Sequence, residues 1–266
     1  MGGLRSAGAW ALRRVQELAD PLLRGDGTVP PRRLRVRAGA PGAHQFIEGG
    51  RLAAAELAAG IPMSEVTDLL DFGCGAGRVL PHMVALAPNA RCTGCDVDDE
   101  AIAWAQEHLP RCRWVRTESA PPLAFADGRF DLVYSISVFS HLDEDLQDRW
   151  LAELARILRP GSVALLTVHG PHAFEEFREG RVRSSWCRAG AFARDSLAAD
   201  EFVFEPYVRT IWNRGRLRGV GSQYGLAFHG LDYLRARWEP FFDVTEVRER
   251  AVSDWQDLVV CRSRTG

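Results

Sequence analysis

The stretch Leu69-Leu70-Asp71-Phe72-Gly73-Cys74-Gly75-Ala76-Gly77-Arg78 places three glycines at alternate positions, after an apolar run and before a segment of helical character. Glycine permits positive φ and has no Cβ, so repeated glycines at the end of a strand allow the backbone to approach a ligand closely. We therefore predict a strand that turns into a helix around a bound molecule.

The spacing of these glycines separates two classes of ligand. A dinucleotide-binding turn reads G-x-G-x-x-G and directs a helix N-terminus at a pyrophosphate. In this chain the sixth position of that motif is Arg78, and Asp71 precedes the first glycine by two residues, where its carboxylate would repel a pyrophosphate. Both features disfavour a nucleotide-dependent oxidoreductase, which stays open as an alternative. An acid at this point favours a ligand that carries a cationic amine.

At these residues the chain resembles the class I S-adenosylmethionine (SAM) dependent methyltransferases, whose first motif is an acid followed by G-x-G-x-G. Three later segments resemble the family in the same order, namely 91–96, 129–142 and 158–168, and the resemblance covers residues 66–170. It implies an enzyme that binds SAM and releases S-adenosylhomocysteine. A non-catalytic protein of the same fold is the second alternative, and the intact acids and glycines disfavour it.

The resemblance also implies a set of cofactor contacts. Asp96 should accept hydrogen bonds from both ribose hydroxyls, because a carboxylate has enough lone pairs for two vicinal hydroxyls. Asp71 should reach the ammonium of SAM, directly or through water. Arg51 could pair with the methionine carboxylate, with a surface role as the alternative. The predicted cofactor-binding residues are Asp71, Gly73, Cys74, Gly75, Gly77, Asp96, Val97, Ser119, Ser135 and Ile136.

The order of apolar runs and amphipathic segments predicts an α/β fold. Strands are expected at 66–72, 91–96, 111–116, 130–136 and 162–168, and helices at 78–87, 98–108 and 143–158. Such alternation predicts a parallel sheet with helices on both faces. A helix at 231–238 and strands at 241–249 and 257–263 resemble the family's closing hairpin. The predicted fold is thus a Rossmann-like, seven-stranded, mostly parallel sheet whose last strand is antiparallel.

The segment before this sheet reads as helical. Apolar residues at spacings of three and four predict a helix at 4–24, and Gly, Pro and Arg predict a loop at 25–42. A second helix is expected at 43–59. We therefore divide the chain into a helical segment and cap at 1–60 and a SAM-binding domain at 61–266.

Residues 171–230 break the alternation of strand and helix and are rich in aromatic residues and arginine. Ligands of open α/β folds bind at the carboxyl ends of the strands, so an insertion after the fifth strand is expected to act as a substrate lid. Within this segment, the positive charge of arginine is least balanced by acidic residues at 209–218. Arginine forks and aromatic rings would suit an anionic or glycosylated acceptor, and an ordinary solvated loop is the alternative.

Histidines follow the predicted fourth and fifth strands, whose carboxyl ends should border the site. His141 and His169 are the candidate catalytic bases, because histidine titrates near neutral pH. Each could instead have a purely structural role, and a base is needed only when the acceptor keeps its proton until attack. Further candidates are His172 and His229, followed by Tyr224 and Tyr207.

Net charge, hydropathy and the positions of the cysteines limit the classes of partner that we expect. The net charge of −2 gives no basic excess of the kind that nucleic-acid-binding domains carry, and no apolar run reaches the length of a membrane span. Cys92 and Cys95 should lie on opposite faces of a strand, so we interpret them as core cysteines, expect no metal site and expect a reducing, cytoplasmic location. The acceptor is expected to offer oxygen or nitrogen on a small molecule or glycan-type metabolite. A homodimer is possible.

Overall fold

A seven-stranded sheet forms the centre of the computed structural model, which describes residues 28–182, 187, 195–208 and 223–264. The strands of this sheet are β1 Asp68–Phe72, β2 Arg91–Asp96, β3 Arg113–Arg116, β4 Phe130–Ser135, β5 Leu158–Val168, β8 Phe242–Val252 and β9 Gln256–Ser263; β6 Phe202–Pro206 and β7 Gly225–His229 pair separately. The order is β3-β2-β1-β4-β5-β9-β8. Strands β1 to β5 are parallel, and β9 is antiparallel to β5 and β8. This confirms the predicted Rossmann-like sheet with an antiparallel last strand.

Helices cover both faces of the sheet. They are α1 Arg32–Arg35, α2 Ala43–Ala58, α3 Leu80–Leu86, α4 Asp99–His108, α5 Glu144–Ile157, α6 Pro171–Arg178 and α7 Leu231–Trp238, with short 3-10 helices at Met63–Glu65 and Phe139–His141. Asp98 caps α4 by accepting from the N–H groups of Glu100 and Ala101, and Asp143 caps α5 by accepting from that of Leu146. These caps satisfy donors that a helix leaves unpaired at its start.

Two apolar clusters form the core, one on each face of the sheet. Leu69 belongs to the cluster that contains α2, α3 and α4, whereas Leu70 belongs to the cluster beneath α5 and α7. Cys92 and Cys95 divide between the clusters in the same way, and both thiols are buried and unbridged. The alternation follows from the two-residue period of a strand. The interpretation of both residues as core cysteines agrees with this packing.

The amino ends of the strands carry a cluster of partly exposed arginines around one buried carboxylate. Asp68 is fully buried and forms ion pairs with Arg91 at 2.6 Å, with Arg159 at 2.7 Å and with Arg129. Burial opposes ionisation, but hydrogen bonds from the three guanidinium groups hold the pKa of Asp68 well below its usual value. The cluster holds β1, β2, β4 and β5 together at the end of the sheet opposite the glycine loop.

The prediction of a loop throughout 25–42 was wrong at α1. Leu34 of this short helix is buried against Ala76 of the glycine loop and Ala101 of α4. Arg37 donates to the carboxylate of Asp98 at 2.7 and 2.5 Å. These partners are more than 40 residues away in sequence, so the local composition of Gly, Pro and Arg could not reveal them.

Residues 171–230 contain regular structure where the sequence showed no repeat. Helix α6 packs on the two-stranded sheet of β6 and β7 through Phe174 and Phe228, whose rings lie 5.4 Å apart. The predicted helix at 4–24 and the arginine-rich segment 209–218 lie outside the described residues. Within the described part of the chain, no helix combines the length and apolar character needed to cross a membrane.

Candidate functional site

The glycine loop leaves β1 and turns back over the end of β2. The N–H groups of Gly73 and Cys74 both donate to the carbonyl of Cys95, at 2.9 and 3.1 Å. Gly73, Gly75 and Gly77 have φ of 81°, 52° and 76°, a region that favours glycine. Local geometry therefore requires all three glycines that the sequence singled out.

The space around these glycines differs. A Cβ at Gly73 would lie 2.3 Å from Val138, and one at Gly77 would lie 2.7 Å from Trp114, so protein neighbours exclude side chains at both positions. A Cβ at Gly75 would meet no atom within 4 Å. Gly75 therefore borders open space at the carboxyl end of β1, where a ligand can approach the backbone.

Asp96 ends β2 beside this space. One oxygen of its carboxylate accepts from the N–H of Gly75 at 2.7 Å, and the other accepts from the N–H of Asp98 at 2.8 Å. Burial raises the pKa of Asp96, while these backbone donors oppose the rise. Each oxygen keeps a lone pair after accepting one hydrogen bond, so the carboxylate is oriented and can still accept from two hydroxyls.

Asp71 lies beneath the loop and is paired with Tyr134. The Tyr134 hydroxyl donates to the Asp71 carboxylate at 2.7 Å, and the two residues are register partners on β1 and β4. Burial raises the pKa of Asp71 to about 7; the Tyr134 hydrogen bond opposes this rise, and the nearby Asp96 carboxylate adds to it. A cation bound nearby would therefore stabilise the ionised carboxylate. The sequence analysis missed Tyr134, although pairing of β1 with β4 would have indicated it.

Helix α2 packs directly on the segment that follows the loop. A Cβ at Gly50 would lie 2.0 Å from the carbonyl oxygen of Arg78, so glycine permits this approach. Arg51, on the same helix, is exposed and pairs with Glu48 at 2.5 Å. This is the surface role that the sequence left open for Arg51.

The remaining predicted cofactor residues line the same end of the sheet in different ways. Cys74 is buried in the core, and its sulfur would lie 3.0 Å from a Cβ at Gly94, so only its backbone can face a ligand. Ser135 ends β4 and is fully buried. Val97, Ser119 and Ile136 are partly buried. Their contacts with SAM stay predictions.

His141 ends the 3-10 helix that follows β4. Its Nδ1 lies 3.0 Å from the carbonyl oxygen of Gly225 and 2.7 Å from the hydroxyl oxygen of Tyr207. Burial lowers the pKa of His141, and the hydrogen bond with Gly225 opposes this effect. A lowered pKa favours the neutral imidazole, which is the form that can take a proton.

His169 follows β5 and lies beside His141, with the two ring centroids 5.7 Å apart. Only 3% of His169 is exposed, and its ring packs against Phe228 and Trp255. Burial lowers its pKa well below the usual value, and the neighbouring histidines His141 and His229 add to this effect. The structure thus brings the two predicted bases together and leaves His141 the more accessible of the two.

The lower-ranked candidates occupy separate positions. His229 is fully buried and bonds Gln147 through Nε2 at 3.0 Å, and burial lowers its pKa to about 3. His172 lies on α6 with its ring 6.4 Å from that of Trp255. Tyr207, one of the two lowest-ranked candidates, is hydrogen-bonded to His141. The sequence could not reveal this pairing, because the partners are 66 positions apart.

The strands of the insertion are fixed to the ends of β4 and β5. The N–H of Asp143 donates to the carbonyl of Gln223, and the N–H of His229 donates to that of His169, both at 2.9 Å. Tyr224 forms a bridge with Leu142. Burial raises the pKa of Tyr224 to about 12, and the charge of Asp96 contributes, so the insertion lies near the Asp96 carboxylate.

Known proteins resemble this chain in sequence and fold. Residues 69–161 match a family described as a methyltransferase domain. A trans-aconitate 2-methyltransferase from Azoarcus sp. is 30% identical over 175 residues, covering 63% of this chain and 67% of that protein. A malonyl-[acyl-carrier protein] O-methyltransferase from Geobacter sulfurreducens is 26% identical over 196 residues, covering 64% of this chain and 73% of that protein.

A solved structure extends the likeness to the fold. The crystal structure of 1,6-didemethyltoxoflavin-N1-methyltransferase from Burkholderia thailandensis, with 1,6-didemethyltoxoflavin and S-adenosylhomocysteine bound, matches with a TM-score of 0.52 at 17% identity. The match covers 82% of this chain and 80% of that one. At this identity the likeness concerns the fold.

Proposed function

Because this chain belongs to the class I SAM-dependent methyltransferases, we propose that it methylates an oxygen or nitrogen atom of a small molecule or glycan-type metabolite, with His141 as the base. The family membership removes the oxidoreductase and non-catalytic alternatives. The observation that carries the proposal is the anchoring of the His141 imidazole through Nδ1 to the Gly225 carbonyl beside the end of β4. Burial, which lowers the pKa of His141, supports it.

The residues around the glycine loop fit SAM. Gly75 leaves room for the methionine half, and the two oriented oxygens of Asp96 suit the ribose hydroxyls. Asp71 would become ionised opposite the ammonium group. Val97 and the backbone near Ser119 would flank the adenine. When bound, SAM supplies an electrophilic sulfonium methyl group.

Ser135 and Ile136 would form the floor of the pocket at the end of β4, together with the loop residues Gly73, Cys74 and Gly77. The chain's own contribution to transfer is then to align the acceptor and to exclude water. The insertion at 171–230 would lie over the acceptor and select it. Phe177 of the insertion packs against His169 at the end of β5, with ring centroids 6.2 Å apart, and both rings contact Trp255.

For a hydroxyl acceptor, His141 would take the proton at Nε2 as the acceptor oxygen attacks. The hydrogen bond at Nδ1 orients the ring for this role. His169 is the second candidate base, although its burial requires the insertion to move before an acceptor can reach it.

A carboxylic acid is a second candidate acceptor. The relatives described above are named for trans-aconitate and malonyl-[acyl-carrier protein], both of which carry carboxyl groups. A carboxylate is already ionised at neutral pH, so its methylation requires no protein base. The two acceptor types therefore differ in how much they depend on His141.

The proposal is tested by incubating the protein with SAM labelled in its methyl group and fractions of a small-molecule extract. We expect label in a low-molecular-weight product, and no label with the Asp96→Ala variant. Label recovered only in nucleic acid or protein would contradict a small-molecule acceptor. With the product identified, His141→Ala should slow methylation of a hydroxyl by about 10² to 10⁴-fold and affect a carboxylate far less.

A further inference from the structure

Two groups of the insertion contact the same nitrogen of His141. Tyr207 follows β6, and its hydroxyl oxygen lies 2.7 Å from Nδ1; Gly225 begins β7, and its carbonyl oxygen lies 3.0 Å from Nδ1. The N–H of Tyr207 donates to the carbonyl of Tyr224 at 3.0 Å. The pairing of these segments therefore fixes both oxygen atoms relative to each other.

The chemistry of the two oxygens determines the state of the ring. A carbonyl oxygen can only accept a hydrogen bond, so the contact with Gly225 requires a proton on Nδ1. In a neutral imidazole the other nitrogen, Nε2, is then unprotonated. The Tyr207 oxygen is a second acceptor for the same N–H. No residue of the described part of the chain is hydrogen-bonded to Nε2 of His141.

We propose that Tyr207 is a positioning residue that, with the Gly225 carbonyl, holds His141 in the Nδ1–H tautomer. This inference rests on the proposed role of His141 as the base. During transfer the methyl group would pass from the sulfonium sulfur of SAM to the acceptor oxygen, so the S–CH₃ bond and the acceptor O–H bond would break as the O–CH₃ bond forms. S-adenosylhomocysteine would leave, and the proton would go to Nε2 of His141. The ring then carries a positive charge, and the Tyr207 oxygen accepts from it at Nδ1. The insertion thereby completes the base as well as covering the acceptor.

Other titratable groups near the ring act less directly. His169 contacts it ring to ring at 5.7 Å without a hydrogen bond between them. Asp143, two residues along the chain, directs its carboxylate to the N–H of Leu146 and the side chain of Gln223. Tyr224 approaches from β7 through its backbone bridge to Leu142. Among the described side chains, Tyr207 is the one hydrogen-bonded to the His141 ring.

The test is nitrogen NMR of histidine-labelled protein saturated with S-adenosylhomocysteine, across the range in which histidine titrates, with His141→Asn identifying the signals. We expect wild-type His141 to carry its proton on Nδ1 and to have Nε2 unprotonated in the neutral form. Tyr207→Phe removes only the hydroxyl, so the protonated ring loses an acceptor and its titration should move to lower pH. Tyr233→Phe, whose hydroxyl bonds Glu144 at 2.7 Å, is the matched control and should leave the titration unchanged.

Two results would overturn the proposal. A proton on Nε2 of the neutral wild-type ring would mean that Tyr207 donates to Nδ1, and an unchanged titration in Tyr207→Phe would mean that the contact does not act on the ring. The measurement requires no acceptor. If His141→Ala retains full turnover of a hydroxyl acceptor while the NMR results are as expected, the base role fails and the effect of Tyr207 on the ring stands.

Discussion

Removal of the Asp96 carboxylate should weaken binding of S-adenosylhomocysteine strongly. The carboxylate is oriented by the N–H groups of Gly75 and Asp98, so each of its oxygens keeps a lone pair for a ribose hydroxyl. In Asp96→Ala the two ribose hydroxyls lose their acceptor inside a partly closed site. An unmade hydrogen bond there costs about 1 to 2 kcal/mol, so the two together cost about 2 to 4 kcal/mol, or about 30- to 1,000-fold in Kd.

Isothermal titration calorimetry with S-adenosylhomocysteine measures this loss directly. Asp99→Ala is the matched control. Asp99 lies three residues beyond Asp96, and its exposed carboxylate pairs with Arg116. Thermal unfolding without ligand should show that both variants are folded. Unchanged affinity in a folded Asp96→Ala protein would refute the assignment of Asp96 to the ribose.

Three further predictions address the loop, the base and the fold. Gly75→Val should abolish binding of S-adenosylhomocysteine in calorimetry, because φ of 52° strains valine and its side chain fills the open space; normal binding would show that the loop does not cradle SAM. For a hydroxyl acceptor, kcat should rise with pH through the pKa of His141, which burial places below the usual value of about 6.5. This rise of kcat with pH should be absent in His141→Ala and present in His169→Ala. The opposite pattern would make His169 the base. Asp68→Asn should lower the free energy of unfolding by about 3 kcal/mol in urea titrations at neutral pH. Because the folded pKa of Asp68 is depressed, its contribution is complete above the unfolded pKa of about 4 and is lost as pH falls through the folded pKa, so a wild-type stability advantage that disappears already at pH 6 would contradict the reasoning.

Local patterns predicted the elements that short-range chemistry controls. The glycines after β1 and the acid at the end of β2 are recognisable because positive φ and a strand end are properties of a few adjacent residues. Cys92 and Cys95 could be assigned to opposite faces because a strand has a period of two residues. The helix α1 could not be predicted, because Leu34 and Arg37 gain their partners only when α4 and the glycine loop pack against them.

The sequence by itself therefore determined the family, the order along the chain of the strands in the seven-stranded sheet and the glycine loop after β1. The tertiary structure decided the pairing of Asp71 with Tyr134, the burial of His169 and the contacts of His141 with Tyr207 and Gly225. The physical reason is distance along the chain. Hydrogen bonds and desolvation act over a few ångströms in space, and residues 63 and 84 positions apart come within that range only after the sheet and the insertion have folded together.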